Sequence, residues 1–320
     1  ETRLLDGAPD RHLMLALAAA PGAPGGIALR EVDEPRLGPG VAVVEVRASS
    51  LNRGECSALR TAEDGWQPGW DVSGVIAGAA PDGSSPPNGT RVIGWANGGG
   101  WAERVAVRSD HLAPIPKEMG FEVAATLPVA GLTAVGTLEL GGPLAGKRVA
   151  ITGAAGGVGR FAVQLAHAAG AHVTAVVGSP ERGLGLPELG TDEVVIGLDP
   201  DGAAFDLLLE SVGGASLGAA LTRVSDRGIV VSFGNSSNEP TTFDARSFYR
   251  RGGPSLRGFF VTHELLEGQI GTAELARLVA LVSSGRLRTE IDLQVPWTEA
   301  ALAVAALFER RVRGKAVLTI

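Results

Sequence analysis

The chain has 320 residues, of which 45% are hydrophobic and 20% charged, with a net charge of −7. This fits a globular protein of about two domains, and the negative charge disfavours nucleic acid or an anionic membrane as a partner. A single cysteine, Cys56, excludes an internal disulfide framework and a multi-cysteine zinc site.

The chain opens at Glu1 without an initiator methionine, so it is expected to be processed or a fragment. Leu13–Ala20 followed by Pro21-Gly22-Ala23 has a faint leader-like texture, but the run is short and follows Glu1, Asp6 and Asp10. It reads as a strand. No run approaches the roughly 18 apolar residues of a membrane span. A soluble, cytoplasmic protein is expected.

Residues 1 to about 119 read as all-β. Short apolar runs recur at Leu13–Ala18, Gly26–Glu31, Val41–Ala48, Val72–Ala77, Arg91–Ile93 and Glu103–Val107. Glycine and proline turns punctuate them, as in a strongly turned sheet or partial barrel. From Gly120 the texture changes. Phe121–Leu127 and Leu132–Leu140 read as helices. Strands then follow at Val149–Thr152, Val173–Val177, Val194–Ile196, Phe205–Glu210, Gly228–Phe233 and Leu256–Val261, with helices such as Ala215–Val224 between them. That alternation predicts an α/β fold with a doubly wound parallel sheet. Helices are expected at Glu274–Ser283 and Ala300–Phe308, and a last strand at Ala316–Ile320 that returns to the first domain. The predicted division is 120–261 for the nucleotide domain, with 1–119 and 262–320 forming a discontinuous, mainly β substrate domain.

The stretch Val149 to Gly170 carries the strongest signal. A short β-branched run ends in Gly153-Ala154-Ala155-Gly156-Gly157-Val158-Gly159, and apolar residues then recur at helical spacing. A second strand, His172–Val177, follows at once. In such a βαβ unit the turn binds a dinucleotide pyrophosphate, because free N–H groups and the helix dipole attract an anion. Glycine is needed there, since a Cβ would block the phosphate or the packing of helix on strand. Gly153, Gly156 and Gly159 are spaced three and three rather than two and three.

The order of features resembles the medium-chain dehydrogenase/reductase superfamily, in its zinc-independent quinone oxidoreductase and enoyl reductase branch. The likeness covers nearly the whole chain. It rests on Leu51-Asn52-Arg-Gly-Glu55, Pro68-Gly69-Trp-Asp-Val-Ser-Gly74-Val, Arg91-Val-Ile-Gly94, Leu127-Pro-Val-Ala-Gly-Leu-Thr133-Ala, the glycine turn, Glu210-Ser-Val-Gly-Gly214, Arg227–Ser237 and Gly314-Lys315. The resemblance implies a Rossmann nucleotide domain beside a GroES-like substrate domain. Zinc alcohol dehydrogenases of the superfamily carry cysteine at Asn52, Gly-His-Glu at Gly69-Trp70-Asp71 and a cysteine near Val129. None of the three positions offers a good zinc ligand here, so no metal is expected. Hydride delivery to an already polarised acceptor, a quinone or an α,β-unsaturated carbonyl, then suits the chain best. Two alternatives remain: a carbonyl reductase acting on ketones, and a non-catalytic nucleotide-binding protein with a structural or regulatory role.

The resemblance also implies the site. NAD-specific relatives place an acid at the end of the second strand, where this chain has Val177. Ser179 and Arg182 follow and are expected to bind the 2′-phosphate of NADP(H), with Glu181 pointing away; otherwise Arg182 is a solvated surface charge. Gly153, Ala155, Gly156, Gly157, Val158 and Gly159 would cradle the pyrophosphate, with Thr133, Val212, Phe233, Gly234 and Lys315 along the cofactor. Phe259, Phe260 and Val261 would close the nicotinamide pocket, or else form a plain core strand. Asn52 and Glu55 are the catalytic candidates, Asn52 alternatively being a turn former and Glu55 standing where relatives often have Asp. The only tyrosine, Tyr249, is distant, so solvent is expected to supply the proton. Tryptophans 66, 70, 95 and 101 either line a substrate cleft or pack the β domain. A homodimer through the edge strand Leu256–Val261 is expected.

Overall fold

The computed structural model describes residues 12–320; the acidic residues Glu1, Asp6 and Asp10 lie outside that range. Chain order begins with β1 (Leu13–Ala19), β2 (Ile27–Asp33), β3 (Val41–Ser50), α1 (Arg53–Leu59), β4 (Asp71–Gly78), β5 (Arg91–Trp95), β6 (Arg104–Arg108) and β7 (Leu112–Pro114). Next come α2 (Phe121–Ala125), α3 (Pro128–Glu139), β8 (Arg148–Thr152), α4 (Gly157–Ala168), β9 (His172–Val177), β10 (Glu193–Ile196) and β11 (Phe205–Glu210). The chain continues through α5 (Gly214–Arg223), β12 (Val224–Ser232), α6 (Ala245–Tyr249), β13 (Ser255–Gly258), α7 (Val261–Leu266) and α8 (Thr272–Ser283). It ends with β14 (Ile291–Pro296), α9 (Ala300–Phe308) and β15 (Lys315–Thr319).

Two large sheets organise the molecule, with β1 and β2 forming a separate two-stranded antiparallel sheet. The parallel one has the order β10-β9-β8-β11-β12-β13 and matches the expected doubly wound fold. Its central strands are buried on both faces, so they read as continuous apolar runs. Val149, Ile151, Leu207 and Leu209 lie in one core with Phe161 and Ala162 of α4. Helix α3 is apolar all round and is buried from Pro128 to Leu138. The other sheet has the order β14-β15-β3-β4-β5-β7, with β6 pairing β3. Strand β15 runs antiparallel to β3 with Val317 opposite Ser50, so the end of the chain returns to the beginning. Asp71 of β4 also lies opposite Ser50. These two registers bring Ser50, Asp71 and Lys315 to the same corner.

Several expectations shift. The first 119 residues are not all-β, because α1 interrupts them at Arg53. Its start has a local cause: Glu55, three residues after Asn52, accepts from the Asn52 backbone N–H at 2.8 Å. Helix α3 begins at Pro128 rather than Leu132, since proline at the first helical position has no amide hydrogen to leave unpaired. The strand expected over Leu256–Val261 stops at Gly258. Phe259 turns inward against Gly136, where an added Cβ would lie 2.4 Å from the ring, and α7 starts at Val261. Leu265, Leu275, Leu278 and Leu287 lie in the same core as Val149 and Leu207 of the parallel sheet, a core that also takes in Ile93 and Ala113 of the other sheet. We propose that the chain passes back to the substrate half near Glu290.

The β3–β4 pairing depends on a close backbone approach at Gly74, where a Cβ would sit 2.0 Å from the Glu45 carbonyl oxygen. Gly74→Ala is therefore expected to cost about 1–3 kcal/mol through forced backbone shifts, read as a Tm lowered by several degrees in thermal unfolding.

Candidate active site

A cleft of about 810 Å³ runs between the two sheets. Its floor is the turn Gly153–Gly159 between β8 and α4. The amides of the first helical turn have no intrahelical partner and open on an anion site. Glycine is required by contact here. A Cβ on Gly159 would lie 2.5 Å from the Ala154 Cα, and one on Gly157 would lie 2.6 Å from the Lys315 side chain. Gly153 also has φ +61°, a left-handed conformation that favours glycine. The loop therefore fits a dinucleotide pyrophosphate.

One end of the cleft is closed by a buried polar corner. The Lys315 ammonium donates to the Leu51 carbonyl at 3.0 Å, to Asn52 Oδ1 at 2.8 Å and to Asp71 Oδ2 at 3.1 Å. Asn52 Nδ2 donates to Asp71 Oδ2 at 2.8 Å and to Glu55 Oε1 at 3.1 Å. Asp71 also accepts from the Ser50 hydroxyl at 2.6 Å and from the Val129 amide at 2.7 Å. Asp71 is fully buried, and Lys315 is 4% exposed. Such a pair is stable only with its remaining hydrogen bonds satisfied, as they are here. The corner is also tied to the glycine turn, because the Gly314 amide donates to the Ala155 carbonyl at 2.9 Å.

Glu55 lies behind this wall rather than in the cleft. Its second oxygen accepts from the Gly69 and Trp70 amides at 3.0 and 2.8 Å. Burial and the neighbouring Asp71 carboxylate push it up to about 8, against the Asn52 hydrogen bonds and the Lys315 charge. Its visible work is to hold Asn52 and the start of β4 in place. Cys56 is buried, and desolvation pushes its thiol up, so it behaves as a small apolar side chain.

The apolar wall beyond the corner comprises Leu51, Trp70, Val129, Phe233, Phe259 and Val261. Thr133, Val212, Gly234 and Phe260 also line the cleft, as do Val158 and Lys315. Phe260 remains 60% exposed at its edge. Trp70 is the one tryptophan of the four in the lining; Trp95 and Trp101 are core residues, and Trp66 packs beside the second core. Tyr249 is exposed and does not line the cleft.

Two expected cofactor contacts stand elsewhere. Ala155 is buried and contributes only its carbonyl, to Gly314. Ser179 is absent from the lining and hydrogen-bonds the Glu181 carboxylate, whose pKa is lowered by that bond. Ser179 occupies the N-cap position of a short proline-led turn, Pro180–Gly183, without a side-chain capping bond. Arg182 does line the cleft, with its guanidinium on the Arg310 and Val312 carbonyls. Burial and Arg310 lower its pKa. Sequence reasoning missed Arg310, Leu198, Ser211 and Ser216 in the lining, and Asp71 and Ser50 in the corner. Only the Glu210-Ser-Val-Gly-Gly turn carried a local signal for any of them: Glu210 accepts from the Val212 and Gly213 amides and the Ser216 hydroxyl. Among the described residues no group of three or more His, Cys, Asp or Glu is placed to hold a metal ion, and no helix is long and apolar enough to cross a membrane.

A parallel sheet with a glycine-floored cleft beside a mainly antiparallel sheet defines a two-lobed, nucleotide-binding oxidoreductase fold. Residues 38–117 match the alcohol dehydrogenase GroES-like domain, and residues 189–318 match the zinc-binding dehydrogenase family model. The chloroplast envelope quinone oxidoreductase homolog of Arabidopsis thaliana is 30% identical over 241 residues, covering 71% of this chain and 70% of that protein. The spectinabilin polyketide synthase system protein NorB of Streptomyces orinoci is 35% identical over 299 residues, 89% of this chain. The chain spans 13% of NorB's length. The solved quinone oxidoreductase of Coxiella burnetii superposes with a TM-score of 0.84 at 25% identity, over 97% of this chain and all of that one. The chain belongs to the medium-chain dehydrogenase/reductase superfamily, in its quinone oxidoreductase branch.

Removing one partner of a buried ion pair costs about 3–5 kcal/mol. Lys315→Met is expected to lose stability on that scale in urea unfolding, and the double variant Lys315→Met/Asp71→Asn to recover part of it. A single variant as stable as the wild type would show that the corner is not held by this pair.

Proposed function

We propose that the protein reduces a quinone or an α,β-unsaturated carbonyl with NADPH and without zinc. The observation that carries this reading is the closed polar corner. The ammonium of Lys315 makes three hydrogen bonds there, and both donors of Asn52 are engaged. Among the described residues the lining at that end of the cleft holds no Asp, Glu, His, Cys or Tyr, and Glu55 stands behind the wall rather than in the lining. An acceptor whose reduced form is an enolate or a hydroquinone suits such a site, because its proton can come from water. A simple ketone needs a positioned acid for its alkoxide, which weighs against the carbonyl reductase alternative. The corner also weighs against a purely structural role, since an open apolar cleft is retained beside it.

When bound, the dihydronicotinamide supplies the hydride. The chain's own residues supply position. Thr133, Phe233 and Val261 would hold the ring against Trp70 and Leu51, in space that excludes water. For an enone, hydride adds to the β-carbon and a solvent proton to the α-carbon. Asn52 acts as a strut for the wall rather than as an acid, and Glu55 as a positioning residue behind it.

NADPH is favoured over NADH by Arg182, with Arg310 joining it in place of Ser179. Val177 and Gly178 line the cleft where an NAD site would present a carboxylate. One charge-assisted contact of about 1.5–3 kcal/mol is a roughly ten- to hundredfold preference. The quinone arm of the reading is supported by the Arabidopsis relative, which is a quinone oxidoreductase homolog. We also propose a homodimer, since β13 is an exposed edge of the parallel sheet and carries the exposed Leu256.

The deciding experiment is NADPH oxidation with a quinone, an enone and a simple ketone in parallel. Turnover of the first two alone is expected; turnover of the ketone alone would overturn the reading. Arg182→Ala and Arg310→Ala should raise the KM for NADPH about tenfold or more while changing that for NADH little, and equal effects on both would remove these residues from the phosphate site. Light scattering is expected to give a dimer, and Leu256→Lys a monomer.

A further inference from the structure

Helix α4 carries an arginine that the cleft does not use. Arg160 is 5% exposed and stands behind the glycine turn, outside the lining. Burying a guanidinium is costly unless its donors are paired. Burial does hold Arg160 below its ordinary value, against the pull of the Glu290 carboxylate. Each nitrogen of its planar fork goes to a different segment of chain. Nη1 donates to Glu290 Oε2 at 3.0 Å, Nη2 to the Leu184 carbonyl at 3.0 Å, and Nε to the Ala155 carbonyl at 3.4 Å. One side chain thus reaches the glycine turn, the loop after β9 and the segment before β14.

The three contacts are not equal. The Ala155 carbonyl already accepts from the Gly314 amide at 2.9 Å, so the glycine turn is held without the long bond from Nε. Glu290 is also held by others. Its backbone carbonyl accepts from the Lys315 amide at 2.8 Å. Two residues before it, Arg288 is clasped by the Gln164 side chain of α4, which accepts from the Arg288 amide at 2.8 Å and donates to the Arg288 carbonyl at 3.0 Å. Leu184 is different. Its side chain is 60% exposed, and the next residue, Gly185, is exposed with φ +79°. Among the described residues the Leu184 carbonyl accepts no hydrogen bond but the one from Arg160. That carbonyl lies two residues from Arg182, whose side chain lines the cleft.

We propose, resting on the NADPH reading above, that Arg160 is a positioning residue for the 2′-phosphate site: by holding the Leu184 carbonyl it fixes the Pro180–Gly183 turn against α4, keeps Arg182 in the cleft lining, and so sets the preference for NADPH over NADH. Arg182 is a long side chain on a turn whose first two residues, Pro180 and Glu181, are exposed. A charge-assisted phosphate contact needs both partners in one geometry, and ordering a free arginine at the moment of binding costs rotamer entropy. Arg160 removes part of that cost beforehand by fixing the backbone from which Arg182 extends, while the Arg310 and Val312 carbonyls hold its far end. NADH has no 2′-phosphate, so its binding depends little on Arg182. A lysine at 160 could supply the charge beside Glu290, but it is a point donor without the fork that spans Glu290 and Leu184.

The test is titration of the purified protein with NADPH and with NADH, followed by the fluorescence of the dihydronicotinamide, alongside thermal unfolding. Arg160→Lys keeps the charge and gives up the fork. It is expected to raise the Kd for NADPH about fivefold or more and that for NADH less than about twofold. The ratio of the two constants decides, since a loosened fold weakens both. Glu290→Gln removes the counter-charge but leaves the bond to Leu184. It is expected to lower the melting temperature and to keep the wild-type ratio. An arginine with a merely structural role would weaken both cofactors alike in both variants. That outcome, an unchanged ratio in Arg160→Lys, or a ratio lost equally in Glu290→Gln would overturn the proposal. A wild type with no preference for NADPH sinks the cofactor reading and this inference with it, whereas a preference that survives Arg160→Lys sinks this inference alone.

Discussion

The buried contact between Lys315 and Asp71 fixes the rest of the active cleft. A charge removed from water is costly, and its partner repays that only in tight geometry with every remaining hydrogen bond made. The ammonium therefore demands one arrangement of Leu51, Asn52 and Asp71, and Asp71 in turn demands Ser50 and the Val129 amide. Those residues come from β3, β4, the start of α3 and the end of the chain. Because the Lys315 stem also presses on Gly157, the same side chain that shapes the substrate wall shapes the cofactor loop. The two halves of the cleft cannot be repositioned separately.

The corner also explains the character of the cleft. All its strongly polar groups are spent on one another, so the surface offered to a reactant is mostly apolar. Binding there would rest on shape and desolvation, and the polar groups that face the cleft away from the corner include the amides of the glycine turn and the guanidinia of Arg182 and Arg310. The division is economical in chemical terms. In the proposed reading anions are recognised at the rim and the floor, and the space where hydride would move is kept dry.

Much of the fold was readable from local pattern. The switch from alternating to helical periodicity at Gly153–Gly159 needed only neighbouring residues, and the parallel sheet followed from repeated strand and helix texture. The errors were local too. Helix α1 escaped notice because its seven residues are few for a periodic signal, although Asn52 and Glu55 at capping spacing were in plain sight. Phe259, Phe260 and Val261 were read as strand because they are apolar; the contact of Phe259 with Gly136, across more than a hundred residues, bends the chain away.

The sequence by itself determined the class: a glycine turn between strand and helix, set in an order of motifs that resembles the medium-chain dehydrogenase/reductase superfamily. These are properties of residue types at fixed spacings, so one dimension is enough to read them. Only the tertiary structure decided what the polar residues do. It moved Glu55 from the cleft to the wall behind it, placed Arg310 but not Ser179 in the cleft lining, and joined Asn52 to Lys315 across 263 residues. Buried charges find partners by strand register and packing, not by proximity in the chain, and that is why the corner on which the cleft depends could not be seen until the strands were paired.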